Sequence, residues 1–276
     1  MPHAWATTRA TINSSGITFP GGVSADRAFL LDGRLNRRIS GTPGTSFNID
    51  FDFGAATALV GFGVLNHNFC SLGTAAVTIS GADDAAFSVG LVVAKAASTF
   101  APGRSPLDPR AKDHVFRFPG LSKRYWRLAC SFGVSTTPIV GELFPMATAS
   151  TFQLARTTIY GAGEAEEFMT SGLVLDSGDD RRRFIAGPIR SLKLPFQDLT
   201  LAQKDQLLSM WAATRGGSTP LLWVAQDNPT SVAATSAEQD CLFGLLGQEQ
   251  GWSQPDFALY DTQALALKSL GREVGA

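Results

Sequence analysis

The stretch Ser46-Phe47-Asn48-Ile49-Asp50-Phe51-Asp52-Phe53 decides the fold class of the first half of this chain. Successive side chains of an extended backbone point to opposite faces, so Phe47, Ile49, Phe51 and Phe53 share one side and Asn48, Asp50 and Asp52 the other. That pattern is a strand with one face in a core and one in water. Gly54 is expected to end it. Working outward, shorter apolar runs predict strands over residues 59–65, 75–80, 87–93, 115–118, 125–130 and 139–144. Breaks rich in Gly, Pro and Asp separate them, as in Ala101-Pro102-Gly103-Arg104-Ser105-Pro106. Many short strands with no helical period predict an antiparallel sandwich or jelly roll.

The whole chain has 276 residues, room for two ordinary domains, each able to bury a core without disulfide or metal staples. Hydrophobic residues make up 44% and charged residues 17%, which predicts folded rather than disordered chain. The small, unpatterned run Met146-Ala147-Thr148-Ala149-Ser150-Thr151 places a boundary there, giving expected domains at 1–148 and 152–276. Residues 1–150 carry 13 basic and 9 acidic side chains, a balance of +4; the remainder carries 10 and 15, a balance of −5. Opposite balances of this kind would steer one module onto another in an assembly.

The second half holds one strong helix signal, over residues 200–214. Thr200 and Gln203 have the spacing of a capping box, in which each side chain satisfies a backbone N–H near the other. Leu201, Leu207, Leu208, Met210 and Trp211 are the expected apolar stripe, and Gly216-Gly217 after Arg215 the expected left-handed stop. Strands are predicted on either side, over 192–196 and 221–224, and later over 240–246 and 257–270. The predicted fold class is therefore mainly β: an N-terminal antiparallel jelly-roll sandwich, then a C-terminal β-sandwich or split barrel with one α-helix.

Catalytic and metal chemistry leave few traces. His3, His67 and His114 show no metal-ligand spacing with each other or with Cys70, Cys130 and Cys241, so no metal or other cofactor is expected. No Ser sits in a nucleophile elbow. Gly161-Ala162-Gly163 precedes Glu164, Glu166 and Glu167, which would repel phosphate. Asp50 and Asp52 read as solvated charges of a strand face before they read as a catalytic pair. Asp176-Ser177-Gly178-Asp179-Asp180 lacks calcium-loop spacing and reads as a hairpin tip. The expectation is a protein that is not an enzyme. A net charge of −1 argues against nucleic acid as partner, and no apolar run reaches the roughly 18 residues of a membrane span. The opening Met1-Pro2-His3-Ala4-Trp5-Ala6 has no secretory pattern, so synthesis in the cytoplasm is expected.

Two polar segments are candidates for ligand binding: Arg34 and Arg37, and the tripeptide Asn66-His67-Asn68 after an apolar strand. The tripeptide reads first as a turn whose side chains cap their own backbone, and only second as a loop presenting groups to a ligand. Arg181, Arg182 and Arg183 are candidates for an oligomer interface, with anion binding as the other reading.

Four stretches in order resemble galactose-binding-like, discoidin-type jelly rolls. They are Ala28-Phe29-Leu30-Leu31-Asp32-Gly33; Ile49-Asp50-Phe51-Asp52-Phe53-Gly54 with Leu59-Val60-Gly61-Phe62-Gly63-Val64; Val77-Thr78-Ile79-Ser80-Gly81-Ala82-Asp83-Asp84; and Lys123-Arg124-Tyr125-Trp126-Arg127-Leu128. The resemblance implies a possible sugar ligand. The second half resembles the ring-forming domain of distal tail and tail-tip proteins of long-tailed bacteriophages. Arg183-Phe184, Leu192-Lys193-Leu194-Pro195-Phe196, Leu199-Thr200, Trp211-Ala212-Ala213-Thr214-Arg215-Gly216-Gly217 and Pro220-Leu221-Leu222-Trp223 carry it. It implies a structural part of a tail tip or baseplate in the virion, self-assembled as a ring, with a hexamer favoured over a trimer. Other tail proteins and a host surface glycan are the implied partners. A carbohydrate-binding module protein with no tail role is the alternative.

Overall fold

The computed structural model describes residues 4–21, 24–35, 37–69, 75–100, 112–154, 163–174, 180–194, 196, 199–215, 218–224, 241–247, 252–256, 259–262 and 265–269. In chain order the strands are β1 (Ala4–Arg9), β2 (Ile17–Thr18), β3 (Ile39–Ser40), β4 (Gly44–Leu65), β5 (Ala76–Ala82), β6 (Val92–Thr99), β7 (His114–Thr136), β8 (Ile139–Val140) and β9 (Glu142–Leu154). There follow β10 (Gly163–Val174), β11 (Asp180–Leu194), helix α1 (Leu201–Ala213), β12 (Leu221–Val224), β13 (Cys241–Leu246), β14 (Trp252–Asp256), β15 (Leu259–Thr262) and β16 (Leu265–Ser269). The protein is mainly antiparallel β, with one α-helix among the described residues. It splits into two units, Met1–Gln153 with Leu222–Cys241, and Leu154–Leu221 with Leu242–Ala276.

The first unit is organised by β4 and β7, strands of 22 and 23 residues that pair along two successive limbs. Phe47↔Cys130, Ile49↔Leu128 and Phe51↔Trp126 belong to the first limb; Leu59↔Leu121, Phe62↔Phe116 and Val64↔His114 belong to the second. Between Asp52 and Gly61 the register slips twice. Residues 53–56 face only Arg124, and residues 118–120 face only Val60. Extra residues on one strand bend it, and the two bulges together turn the ladder. Gly54, with φ +76°, supplies a left-handed backbone at this corner, which a side chain would oppose. It therefore turns the strand instead of ending it, contrary to the sequence expectation.

The expected alternation is visible in burial. Phe47, Ile49 and Phe51 are buried, while Asn48 is exposed and Asp50 and Asp52 half-buried. The second limb is buried throughout residues 59–65. Rings from the two limbs meet, Phe51 and Phe62 lying 5.0 Å apart and Phe62 and Trp126 5.8 Å, while Phe47 and Phe132 stack at 5.3 Å within the first limb. Sandwiched aromatics of this kind contribute both burial and ring-edge attraction. β5 and then β6 extend the first limb beyond β7; β9, β1 and β12 extend the second beyond β4.

Residues 87–93 do not form the predicted strand. The Asp84 carboxylate accepts from the Ser88 and Val89 N–H groups at 2.8 and 2.7 Å and from the Ser88 hydroxyl at 2.7 Å. These bonds replace ladder bonds with a local turn, and strand β6 begins only at Val92. Phe87 takes φ +56° within that turn.

In the second unit β10 and β11 form a hairpin, followed in sheet order by β16 and β13, and β14 pairs with β15. Helix α1 carries both halves of the capping box: Thr200 accepts from the Gln203 N–H and the Gln203 side chain accepts from the Thr200 N–H. Only Leu207 and Met210 of the expected stripe are buried; Leu201 and Leu208 are exposed. The left-handed residue after the helix is Arg215, φ +52°. Its N–H reaches the Ala212 carbonyl at 2.9 Å. The chain also does not divide at a single point. Trp5↔Val224, Ala6↔Trp223 and Thr7↔Leu222 return β12 to the first unit, whereas the sequence places it in a domain running from 152 to 276. Cys70, the 101–106 break, Gly161-Ala162, the 176–179 tip and Gly216-Gly217 lie outside the described residues.

Candidate functional site

The segment carrying Arg34 and Arg37 is anchored from below by buried polar groups. Glu142, at the start of β9 and fully buried, accepts from the Gly33 N–H at 3.0 Å and from the Arg9 guanidinium of β1. Burial pushes its carboxyl up to about 8, with nearby Asp32 adding to the rise and Arg9 and the Gly33 N–H opposing it. Asn66 donates from its side-chain amide to the Leu35 carbonyl, and its own N–H donates to Asp113 at 2.9 Å. A Cβ on Gly141 would stand 2.9 Å from Asn66 and 3.2 Å from the Leu35 carbonyl, so only glycine lets these segments close together.

Above this base the exposed groups are few and defined. Asp32 accepts from the Arg34 N–H at 2.8 Å and from Arg37 at 3.4 Å, and the Arg37 guanidinium lies 5.0 Å over the Phe29 ring. Phe29 is half-buried and belongs to the 3-10 helix Ser24–Leu31. One loop thus presents an aromatic face, a planar cation and a carboxylate, held in place before any ligand arrives.

The Asn66-His67-Asn68 tripeptide sits at the base of this arrangement. Asn66 and His67 are buried, and His67 Nδ1 accepts from the Phe69 N–H at 3.1 Å. Asn68 bridges to the other side, accepting from the Ile139 N–H at 2.9 Å and donating to the Thr137 carbonyl at 2.9 Å. Asn66 and Asn68 therefore hold loop backbone. Arg34 and Arg37 are exposed, and Asn66 is linked to their loop through Leu35. Arg181, Arg182 and Arg183 belong to the second unit, in β11 opposite Leu173, Gly172 and Ser171. Glu142, Phe29 and Asp32 were not singled out as site residues from the sequence. A single acidic residue inside the apolar run Ile139-Val140-Gly141-Glu142-Leu143-Phe144 was the available signal.

Asp50 and Asp52 meet cations in place of each other. Arg127 Nε and Nη2 donate to the two Asp50 oxygens at 2.6 and 2.8 Å, and Arg124 grips Asp52 the same way at 2.8 and 3.0 Å. The hydrogen bond from Arg124 holds Asp52 below the ordinary carboxylate value, with the Gly54 N–H adding to it against burial. A carboxylate gripped by a fork of two donors is a poor proton acceptor. This face is built for cross-strand pairing.

No protein-family model matches the sequence, and no curated protein matches it. Solved structures are similar over about half of the chain. The CBM32 module of AlyQ, in complex with 4,5-unsaturated mannuronic acid, is 18% identical over 53% of this chain and 98% of its own, TM-score 0.33. The C-terminal domain of a chitobiase from Bacteroides fragilis is 13% identical over 50% of this chain and 98% of its own, TM-score 0.35. A Ruminococcus gnavus GH29 fucosidase is 10% identical over 48% of this chain, which spans only 25% of the fucosidase, TM-score 0.37. None of the three is a tail protein. At these TM-scores the likeness carries no inference about a ligand.

Proposed function

We propose that this chain is a carbohydrate-binding protein without a catalytic step, and that it takes saccharide on the loop of Phe29, Asp32, Arg34 and Arg37. The observation that supports the reading is Arg37, held over Phe29 and beside Asp32 on a loop pinned through Gly33 and Leu35. A sugar ring offers an apolar face to an aromatic and vicinal hydroxyls to a planar donor and a carboxylate. Anchoring from Glu142 and Asn66 lowers the ordering cost of binding.

Glycan-array binding of the intact protein, followed by calorimetry on any hit, tests the proposal. Arg37→Ala and Phe29→Ala are expected to lower affinity at least tenfold, while Arg124→Ala, which opens the Asp52 pair, leaves it unchanged. A flat array, or affinity indifferent to both loop variants, refutes it.

A second reading, a ring-forming component of a phage tail tip, draws on helix α1 with its capping box and on the strands around it in the second unit. Ring-shaped particles in negative stain would favour it. A monomer at micromolar concentration would exclude it.

A further inference from the structure

The alternating apolar residues of the 87–93 segment find no core. Val89 is 59% exposed, Leu91 52% and Val93 56%, with Val92 beside them at 41%. Large aliphatics exposed in a cluster mark contact surfaces more often than chance solvent exposure does. The segment leads directly into β6, the last strand in the sheet order, which pairs with β5 and with no other strand among the described residues. Its outer row of backbone groups is a template for another strand.

Edges of this kind are ordinarily guarded by exposed charge or proline. From Ala85 to Thr99 the chain has no proline, and its one charged residue, Lys95, is 5% exposed. Beside Gly90 the exposed Asp83 carboxylate is paired with Lys123 at 2.8 Å, so the charges next to the strip are matched within one copy.

We infer that the β6 edge and the Val89, Leu91, Val93 strip form a docking surface for a second copy of this chain, joined strand to strand about a two-fold axis. An isologous contact brings each copy's edge, which carries no exposed charge from Ala85 to Thr99, against the other's. A specific interface needs roughly 1,000 Å² in the pair, and one strand edge with four exposed aliphatics leaves little surplus over the cost of association, so a micromolar dimer is expected. The β5–β6 ladder is irregular at Val77/Ile79 and Ile79/Ser80. Two-fold pairing consumes the open β6 edge of both copies, so assembly through it stops at two.

Sedimentation velocity of the full chain, at concentrations up to roughly 50 µM, tests this. The expected result is a concentration-dependent dimer that Leu91→Lys combined with Val93→Lys abolishes. Val134→Lys, at another exposed valine, should leave it intact. Both substituted sites are exposed, and an unchanged melting temperature shows that the double variant still folds. A wild-type monomer throughout the range overturns the inference, as does a dimer or larger species that survives the double substitution. Binding of neutral phosphatidylcholine vesicles by a chain that stays monomeric also overturns it. Saccharide affinity reports separately on the Arg37 loop, so either proposal can fail alone.

Discussion

Replacing Glu142 by Gln should remove a pH dependence of stability that the wild-type protein carries near neutrality. The carboxyl is fully buried and pushed up to about 8 from an ordinary value of 4.5. Below pH 4.5 folded and unfolded chains both hold its proton. Between 4.5 and about 8 only the folded chain keeps it, so stability falls as pH rises, and above about 8 the loss is complete. One proton corresponds to ~1.4 kcal/mol per pH step, which makes the loss about 3 kcal/mol between about pH 5.5 and about pH 7.5. Gln does not titrate. It places an amide donor near Arg9 or the Gly33 N–H, a constant cost of about 1–2 kcal/mol. Urea unfolding of both proteins across this range isolates the effect, because every other titrating group cancels in the difference. The variant should match the wild type near pH 5.5, where the two terms balance, and exceed it by about 2–3 kcal/mol near pH 7.5. A difference that stays constant across the range refutes the assignment of this proton to Glu142.

Three further outcomes rest on backbone geometry. Gly61→Ala puts a Cβ 2.6 Å from the Phe116 carbonyl oxygen and 3.0 Å from the Met146 sulfur, and should cost about 2–3 kcal/mol by denaturant unfolding. Arg215→Gly relieves a left-handed backbone after α1 and should stabilise by about 1 kcal/mol, read by the same method. Thr200→Ala opens the capping box and should destabilise by about 1 kcal/mol, with a loss of helical circular dichroism.

Local patterns were legible in the sequence wherever a residue's fate depends on its near neighbours. The 46–53 alternation and the Thr200–Gln203 box both reappear in the structure, since each rests on geometry a few residues long. The apolar run at 87–93 misled, because apolar composition does not say whether the side chains meet a core. There Asp84 captures the backbone first. Gly54 was legible as an interruption but not as a corner, which depends on the opposing bulge at 118–120. Arg34 and Arg37 could be named as exposed polar groups. The Glu142 and Asn66 supports could not, because burial of a polar group is settled by segments more than thirty residues away. The pairing of β12 with β1 is the most distant of these relations, and no periodicity encodes it.

That last pairing fixes an order of events during synthesis. β1 leaves the ribosome before its partner, and Leu222–Val224 emerges only after residues 10–221 have been made. Until then one side of β1 lies open, and loop closure over so long a segment is slow relative to local hairpins. A fragment cut at the apparent boundary after Gln153 would keep that open side permanently. Any attempt to express the first unit alone has to carry the β12 segment with it, grafted or supplied in trans.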